Sequence, residues 1–170
     1  AATAAQPAWD GVGWQARAEL LRRCADVLAE NRFRTIALLR DEGKKAISEA
    51  DAEVSEAVDF ARWYATADLP PASVARGVVV IAPPWNFPFA IPCGGVLAAL
   101  MAGNAVVLKP APETVRRGFW LAQQLWQAGI PREALHFVTC DDGPTGRALV
   151  TDTRTSARRQ DFASAAGTGV

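Results

Sequence analysis

The sequence predicts an α/β fold, a parallel sheet flanked by helices and preceded by a helical segment, on three observations. Up to Ala65 the apolar residues recur at the three-and-four spacing of amphipathic helices. Short β-branched runs begin only after Gly77, and from there strand-like and helix-like stretches alternate with short connections. That alternation is the pattern of a βαβαβ unit with a parallel sheet. At 170 residues, 50% of them hydrophobic, the chain is about one domain long and has material for a substantial core.

Each element has its own warrant. Trp14 to Asn31 reads as a helix because Leu20, Leu21, Cys24, Val27 and Leu28 fall on one face. A shorter helix follows through Phe33, Ile36, Ala37 and Leu39, and Gly43 ends it. Ser48, with Asp51 three residues later, predicts a capping box for a helix running to about Ala65, whose buried face is Val54, Ala57, Val58, Ala61 and Tyr64. Leu69-Pro70-Pro71-Ala72-Ser73 has the composition of a linker. Val78 to Ile81, bounded by Gly77 and Pro83, is a buried strand. A helix from about Cys93 to Ala102, a strand Ala105 to Leu108, a helix Val115 to Ala128 and a strand Leu135 to Val138 complete the alternation. Gly129 with Pro131 beyond it stops the last helix. After Asp152 the text changes: Arg154 to Val170 lacks strand alternation and an apolar helical face. The organisation expected is therefore 1–152 as N-terminal helices plus part of a cofactor domain, and 153–170 as a divergent, disordered tail. A shifted reading frame would explain such a tail.

Charge and composition exclude several functions. Formal net charge is zero and the Lys/Arg residues are scattered, which gives nucleic acid or an anionic membrane no electrostatic footprint. Val78 to Ala82 and Val96 to Ala102 are far short of the roughly 18 to 20 apolar residues that span a bilayer. No signal peptide is evident, and Cys24, Cys93 and Cys140 show neither disulfide nor zinc spacing, so a reducing cytoplasm is expected. The first residue, Ala1, is not Met, which suggests a segment of something longer.

The candidate chemistry lies between Gly77 and Pro110. Pro84-Trp85-Asn86-Phe87-Pro88 brackets an amide between two prolines just after one strand. Its two donors are either held for a ligand or used to satisfy the turn itself. Lys109 ends the next strand, where a cation must reach solvent, a carboxylate or a ligand; snorkelling off the strand end is the plain account. Ligands of open α/β sheets bind beyond the carboxyl ends of the strands, where both residues fall. Trp85 and Phe87 read as packing residues, and Gly94-Gly95 as close helix packing, since no G-x-G-x-x-G is present. Cys93 and Cys140 lie near a helix start and a strand end, where a thiol can be activated, but buried cysteines are usually small hydrophobes. His136 is structural or exposed on its strand, and Arg116-Arg117 and Arg158-Arg159 read as solvated pairs.

The turn Pro84 to Pro88, followed by Gly103-Asn104-Ala105-Val106-Val107-Leu108-Lys109-Pro110, resembles the NAD(P)-dependent aldehyde dehydrogenase superfamily over roughly Pro7 to Asp152. The resemblance implies an incomplete aldehyde dehydrogenase fold with a Rossmann-like sheet, lacking the catalytic domain that carries the nucleophilic cysteine and general-base glutamate. It implies that Asn86 is catalytic, donating to the aldehyde oxygen as that becomes negative. It implies that Ala82, Pro83, Pro84 and Trp85 lie against NAD, with NADP also compatible, and that Lys109 reaches the adenosine ribose. Many NAD-preferring members have an acidic residue three positions after this lysine, whereas this chain has Pro112 there and Glu113 one later.

Glu56 to Ala65, with only Thr66 to Arg76 before the first strand, resembles the group that oxidises L-glutamate γ-semialdehyde (1-pyrroline-5-carboxylate) in bifunctional proline-utilisation proteins. The isolated chain is then expected to be inactive, and oligomerisation is left open. Two rivals stand beside this reading. One is a noncatalytic binding module, since Trp9, Trp14, Trp63, Trp120 and Trp126 cannot all be central in so small a core. The other is a different subclass, such as succinate semialdehyde dehydrogenase.

Overall fold

The computed structural model describes residues 1–67 and 73–155, and the backbone alone of 157–160. The chain runs α1 (Ala2–Asp10), α2 (Trp14–Glu30), α3 (Arg32–Gly43), α4 (Ile47–Tyr64), β1 (Val78–Ala82), α5 (Ala90–Met101), β2 (Ala105–Leu108), a 3-10 turn (Pro112–Thr114), α6 (Val115–Gln127), β3 (Leu135–Phe137), α7 (Pro144–Thr151) and β4 (Ala157–Gln160). The strands lie in the order β3-β2-β1-β4, every pair parallel, with Val78 opposite Ala105 and Ile81 opposite Leu108. The expected helix-flanked parallel sheet is what the chain forms. The linker expected at 69–73 lies, Ser73 apart, outside the described residues.

The two faces of the sheet are covered unequally. Val79, Ile81, Val106 and Leu108 face a large core built with α2, α4, α5 and α6, in which Leu21, Cys24, Leu28, Val54, Ala57, Ala61, Leu97, Leu121 and Leu125 are buried. Val78, Val80 and Val107 face the other way, against Ala2, Val138, Leu149 and Val150. Strands buried on both faces read as continuous apolar runs, which is why β1 and β2 were plain in the sequence. Gly94 closes the packing of α5 on α4: a Cβ there would stand 2.9 Å from the Phe60 ring. Gly129 ends α6 at φ 106°, with Ile130 N–H donating to the Leu125 carbonyl at 3.0 Å.

Four expectations need correction. Helix α4 begins at Ile47 with Ala46 as its N-cap, and Glu49, not Asp51, accepts the Ala46 N–H at 3.2 Å. Asp51 is drawn aside to Arg32, which donates to it at 2.7 Å. Helix α5 starts at Ala90, before Cys93, because a residue of α4 caps it. Helix α1 was not expected, since tertiary bonds hold it: the Trp9 indole donates to the Leu100 carbonyl at 3.0 Å and the Gln6 amide to Gly103 at 3.1 Å. Beyond Asp152, where no strand was expected, the backbone of Ala157–Gln160 pairs with β1, Val79 opposite Ala157. Parallel pairing uses main-chain groups, so an edge strand can form without apolar alternation; residues 161–170 lie outside the described residues. Of the five tryptophans named above, Trp9 and Trp120 are buried, Trp126 is half-buried, and Trp14 and Trp63 are exposed.

Candidate functional site

The polar residues of interest gather at the carboxyl ends of β1 and β2. These two strands are neighbours, about 4.8 Å apart. The Lys109 N–H donates to the Ile81 carbonyl at 2.9 Å, which extends the ladder one residue beyond β2. The Lys109 side chain then turns into the protein, where it is 5% exposed and pairs with the Asp142 carboxylate, itself 72% exposed. A buried ammonium requires a counter-charge or a ligand, and here the counter-charge sits on a side chain that has water to return to.

From β1 the chain enters the proline-bracketed turn. Ala82 is half-buried, Pro83 buried and Pro84 half-buried, and the next three residues, Trp85, Asn86 and Phe87, are exposed before Pro88 and Phe89 return to the interior. Packing roles for Trp85 and Phe87 are therefore corrected: at 63% and 44% exposure they project outward, because the fixed φ of the prolines holds the tip of the turn away from the core. Among the described residues no protein group hydrogen-bonds the Asn86 amide, so its donors are not spent on the turn. Glu113 is placed on the 3-10 turn after β2 and is also exposed.

Two carboxylates that the sequence reading missed shape this edge. Glu53, on α4 and 2% exposed, accepts the N–H groups of Phe89 at 3.0 Å and Ala90 at 3.2 Å, and pairs with Lys45. Glu42, at the end of α3, accepts the N–H of Arg117 at 3.2 Å and its Nε at 2.7 Å. Arg117 is thus a buried partner, not the solvated charge expected, because Glu42 supplies its counter-charge. Helix N-termini at such an edge ordinarily attract anions. In this chain both α5 and α6 meet a carboxylate of the helical layer instead. A signal for Glu53 did exist: it lies on the buried stripe of α4, between Ala50 and Val54.

The thiols are not placed for nucleophilic work. Cys24 and Cys93 are fully buried, and burial pushes the Cys24 thiol up to about 12 and the Cys93 thiol well above its ordinary value. Cys140 is half-buried. Native chain at pH 8 is expected to react with a disulfide reagent at Cys140 alone, and at all three thiols after unfolding. Rapid labelling of Cys93 in the folded state would contradict the packing described. A folded pKa above the unfolded one means stability is complete below about pH 9 and declines as pH rises toward 12, so alkaline unfolding should accompany thiol ionisation. His136 sits half-buried on β3, and among the described residues its Nε2 has no partner and no acid or nucleophile is bonded to it. Among the described residues no cluster suits a metal ion, and no helix is long and apolar enough to cross a membrane.

Fold and edge together define a class: an open parallel α/β domain whose polar groups collect where such sheets bind ligands. Comparison with known proteins makes the assignment specific. The chain belongs to the aldehyde dehydrogenase family, which matches residues 1–157. A 1-pyrroline-5-carboxylate dehydrogenase of Geobacillus sp. (strain WCH70) is 35% identical over 163 residues, covering 86% of this chain and 32% of that protein. The chain thus spans about a third of the length of the curated relatives it matches. Among solved structures, proline utilization A (PutA) from Bdellovibrio bacteriovorus, inactivated by N-propargylglycine, aligns with TM-score 0.85 and 32% identity over 92% of this chain and 18% of its own. An NAD-dependent benzaldehyde dehydrogenase from Corynebacterium glutamicum aligns with TM-score 0.85 and 28% identity, over 92% of this chain and 38% of its own.

Proposed function

We propose that this chain is the cofactor-holding part of an NAD-dependent aldehyde dehydrogenase which, at full length, oxidises L-glutamate γ-semialdehyde to L-glutamate in the cytoplasm. The observation that carries the reading is the juxtaposition, after adjoining strand ends, of an Asn86 amide that bonds to no described group and a buried Lys109 ammonium. Relatives named 1-pyrroline-5-carboxylate dehydrogenase and the PutA likeness support the substrate, and the NAD-dependent neighbour supports the cofactor.

The residues present fit such a cofactor. Lys109 is buried against an exposed carboxylate, so ribose hydroxyls can accept hydrogen bonds from its ammonium beside Asp142, whose carboxylate stays at the surface as counter-charge. The backbone of Ala82 to Trp85 offers the surface along which the cofactor lies, and Glu113 is an exposed acceptor for a ribose hydroxyl. Bound NAD supplies the hydride acceptor. Asn86 donates to the substrate oxygen as negative charge develops there, which requires a positioned donor in a site that excludes water.

Titration of the chain with NAD, followed by tryptophan fluorescence, tests the reading. Saturable quenching is expected, weakened about 10- to 100-fold in Lys109→Ala because a charge-assisted hydrogen bond is worth roughly 1.5 to 3 kcal/mol. Asp142→Asn should bind at least as well as the parent. Absence of saturable binding in the parent chain, or an undiminished affinity in Lys109→Ala, would remove the cofactor site from the proposal.

A further inference from the structure

The Asn86 turn has firm ends and an open middle. At one end it leaves β1; at the other it enters α5 at Phe89, which is fully buried and carries no side-chain cap of its own. Among the described residues, the acceptor for the N-cap amide of Phe89 and the first helical amide of Ala90 is Glu53, 36 residues before Phe89 in the chain. Between the ends, Trp85, Asn86 and Phe87 are exposed. The Lys45 ammonium reaches over this stretch, 4.5 Å from the centre of the ring of Phe87, the residue next to Asn86. Lys45 is itself held by the Glu53 carboxylate.

One buried carboxylate therefore fixes the turn twice. Directly, it anchors the amides of Phe89 and Ala90; through Lys45, it presses a cation on the ring of Phe87. A carboxylate this deep is costly unless every lone pair is used, and its position on the apolar stripe of α4 has no packing rationale, since an aliphatic side chain would fill the same place without that cost. We propose that Glu53 is a positioning residue for Asn86: together with Lys45 it sets where the amide donors of the Pro84 to Pro88 turn point.

The proposal rests on the reading of Asn86 given above, yet its test needs neither cofactor nor substrate, so the two can fail separately. Hydrogen exchange and NMR of the ligand-free chain would be recorded for Glu53→Ala, Glu53→Gln and Lys45→Met. Exchange at the Phe89 and Ala90 amides is expected to accelerate at least about tenfold in Glu53→Ala and less in Glu53→Gln, which keeps an acceptor oxygen. In both, the side-chain amide signals of Asn86 should shift, while the amides of Leu100 and Leu125 inside their helices keep parent rates. Uniform acceleration across all helices, or an unmoved Asn86 signal, would reduce Glu53 to a part of the core and overturn the proposal. Should neither Glu53 variant fold, Lys45→Met decides: shifted Asn86 and Phe87 signals with Phe89 and Ala90 still protected support the proposal, and an unmoved Asn86 signal overturns it.

Discussion

Asn86→Ala, placed in the full-length dehydrogenase proposed for this segment, is expected to lower kcat by about 10²- to 10³-fold while leaving KM within a few-fold. The magnitude is that of one preorganised donor facing a developing oxyanion, about 2.7 to 4 kcal/mol. The effect should fall on kcat because the ground-state carbonyl oxygen is a weak acceptor, whereas the same oxygen in the transition state carries nearly a full charge. The geometry favours this role over a structural one. The amide is exposed, bonds to no described group of the protein, and lies between two prolines that limit how far its backbone can drift. For the same reason the substitution should leave the fold nearly untouched, so equal thermal melts of parent and variant are the necessary control. Steady-state kinetics decide the matter; a kcat within about threefold of the parent, with an intact fold, would assign the oxyanion contact elsewhere. The 170-residue chain itself is expected to form no NADH from any aldehyde, with or without Asn86, because two of its thiols are buried and neutral and the third, Cys140, hydrogen-bonds to no base among the described residues.

How much of this was legible in the sequence depends on whether the cause of each feature is local. β1 and β2 were plain because Val78 to Ile81 and Ala105 to Leu108 are apolar on both faces, the first of them bounded by Gly77 and Pro83. The end of α6 was plain because Gly129 supplies its own left-handed residue. Helix α5 was placed three residues late, and its true start depends on Glu53, far back in the chain. Helix α1 depends likewise on carbonyls at the end of α5 that only the fold brings near. At the site, the positions of Asn86 and Lys109 at strand ends could be read directly. The partner of Lys109 could not, since Asp142 lies 33 residues on, in a loop without local pattern. Trp85 and Phe87 were misread because composition alone argues for burial, whereas a proline-bracketed turn turns its tip outward. Glu53 illustrates the limit well: the stripe of α4 exposes it as an oddity, but not what it holds.

Asn104→Ala should destabilise the fold by about 2 to 4 kcal/mol, a large share of the roughly 5 to 15 kcal/mol that keeps a domain folded. Its side-chain oxygen accepts the N–H groups of Arg76 at 2.7 Å and Gly77 at 3.1 Å, and its amide donates to the Ala99 carbonyl at 3.1 Å. Asn104 is 5% exposed, and the substitution takes the acceptor from the Arg76 and Gly77 amides, while the Ala99 carbonyl keeps only the Asn104 backbone N–H at 3.0 Å. The loss is more than a sum of bonds, because the partners belong to two different segments. Arg76 and Gly77 lead into β1, Ala99 belongs to α5, and Asn104 itself opens β2, whose Ala105 donates back to the Gly77 carbonyl at 3.0 Å. One side chain thus fixes the register in which Val78 meets Ala105, and with it the level at which the Asn86 turn and Lys109 emerge at the far edge. Gly103 must precede it, at φ 82°, because a side chain there would run into the Asp10 carboxylate. Asn104→Asp separates the contributions: it retains an acceptor for Arg76 and Gly77 but loses the donor to Ala99 and buries a charge. Urea unfolding at neutral pH should therefore rank the parent well above both variants. A loss below about 1 kcal/mol in Asn104→Ala would mean that the α5 to β2 junction holds its register without this residue.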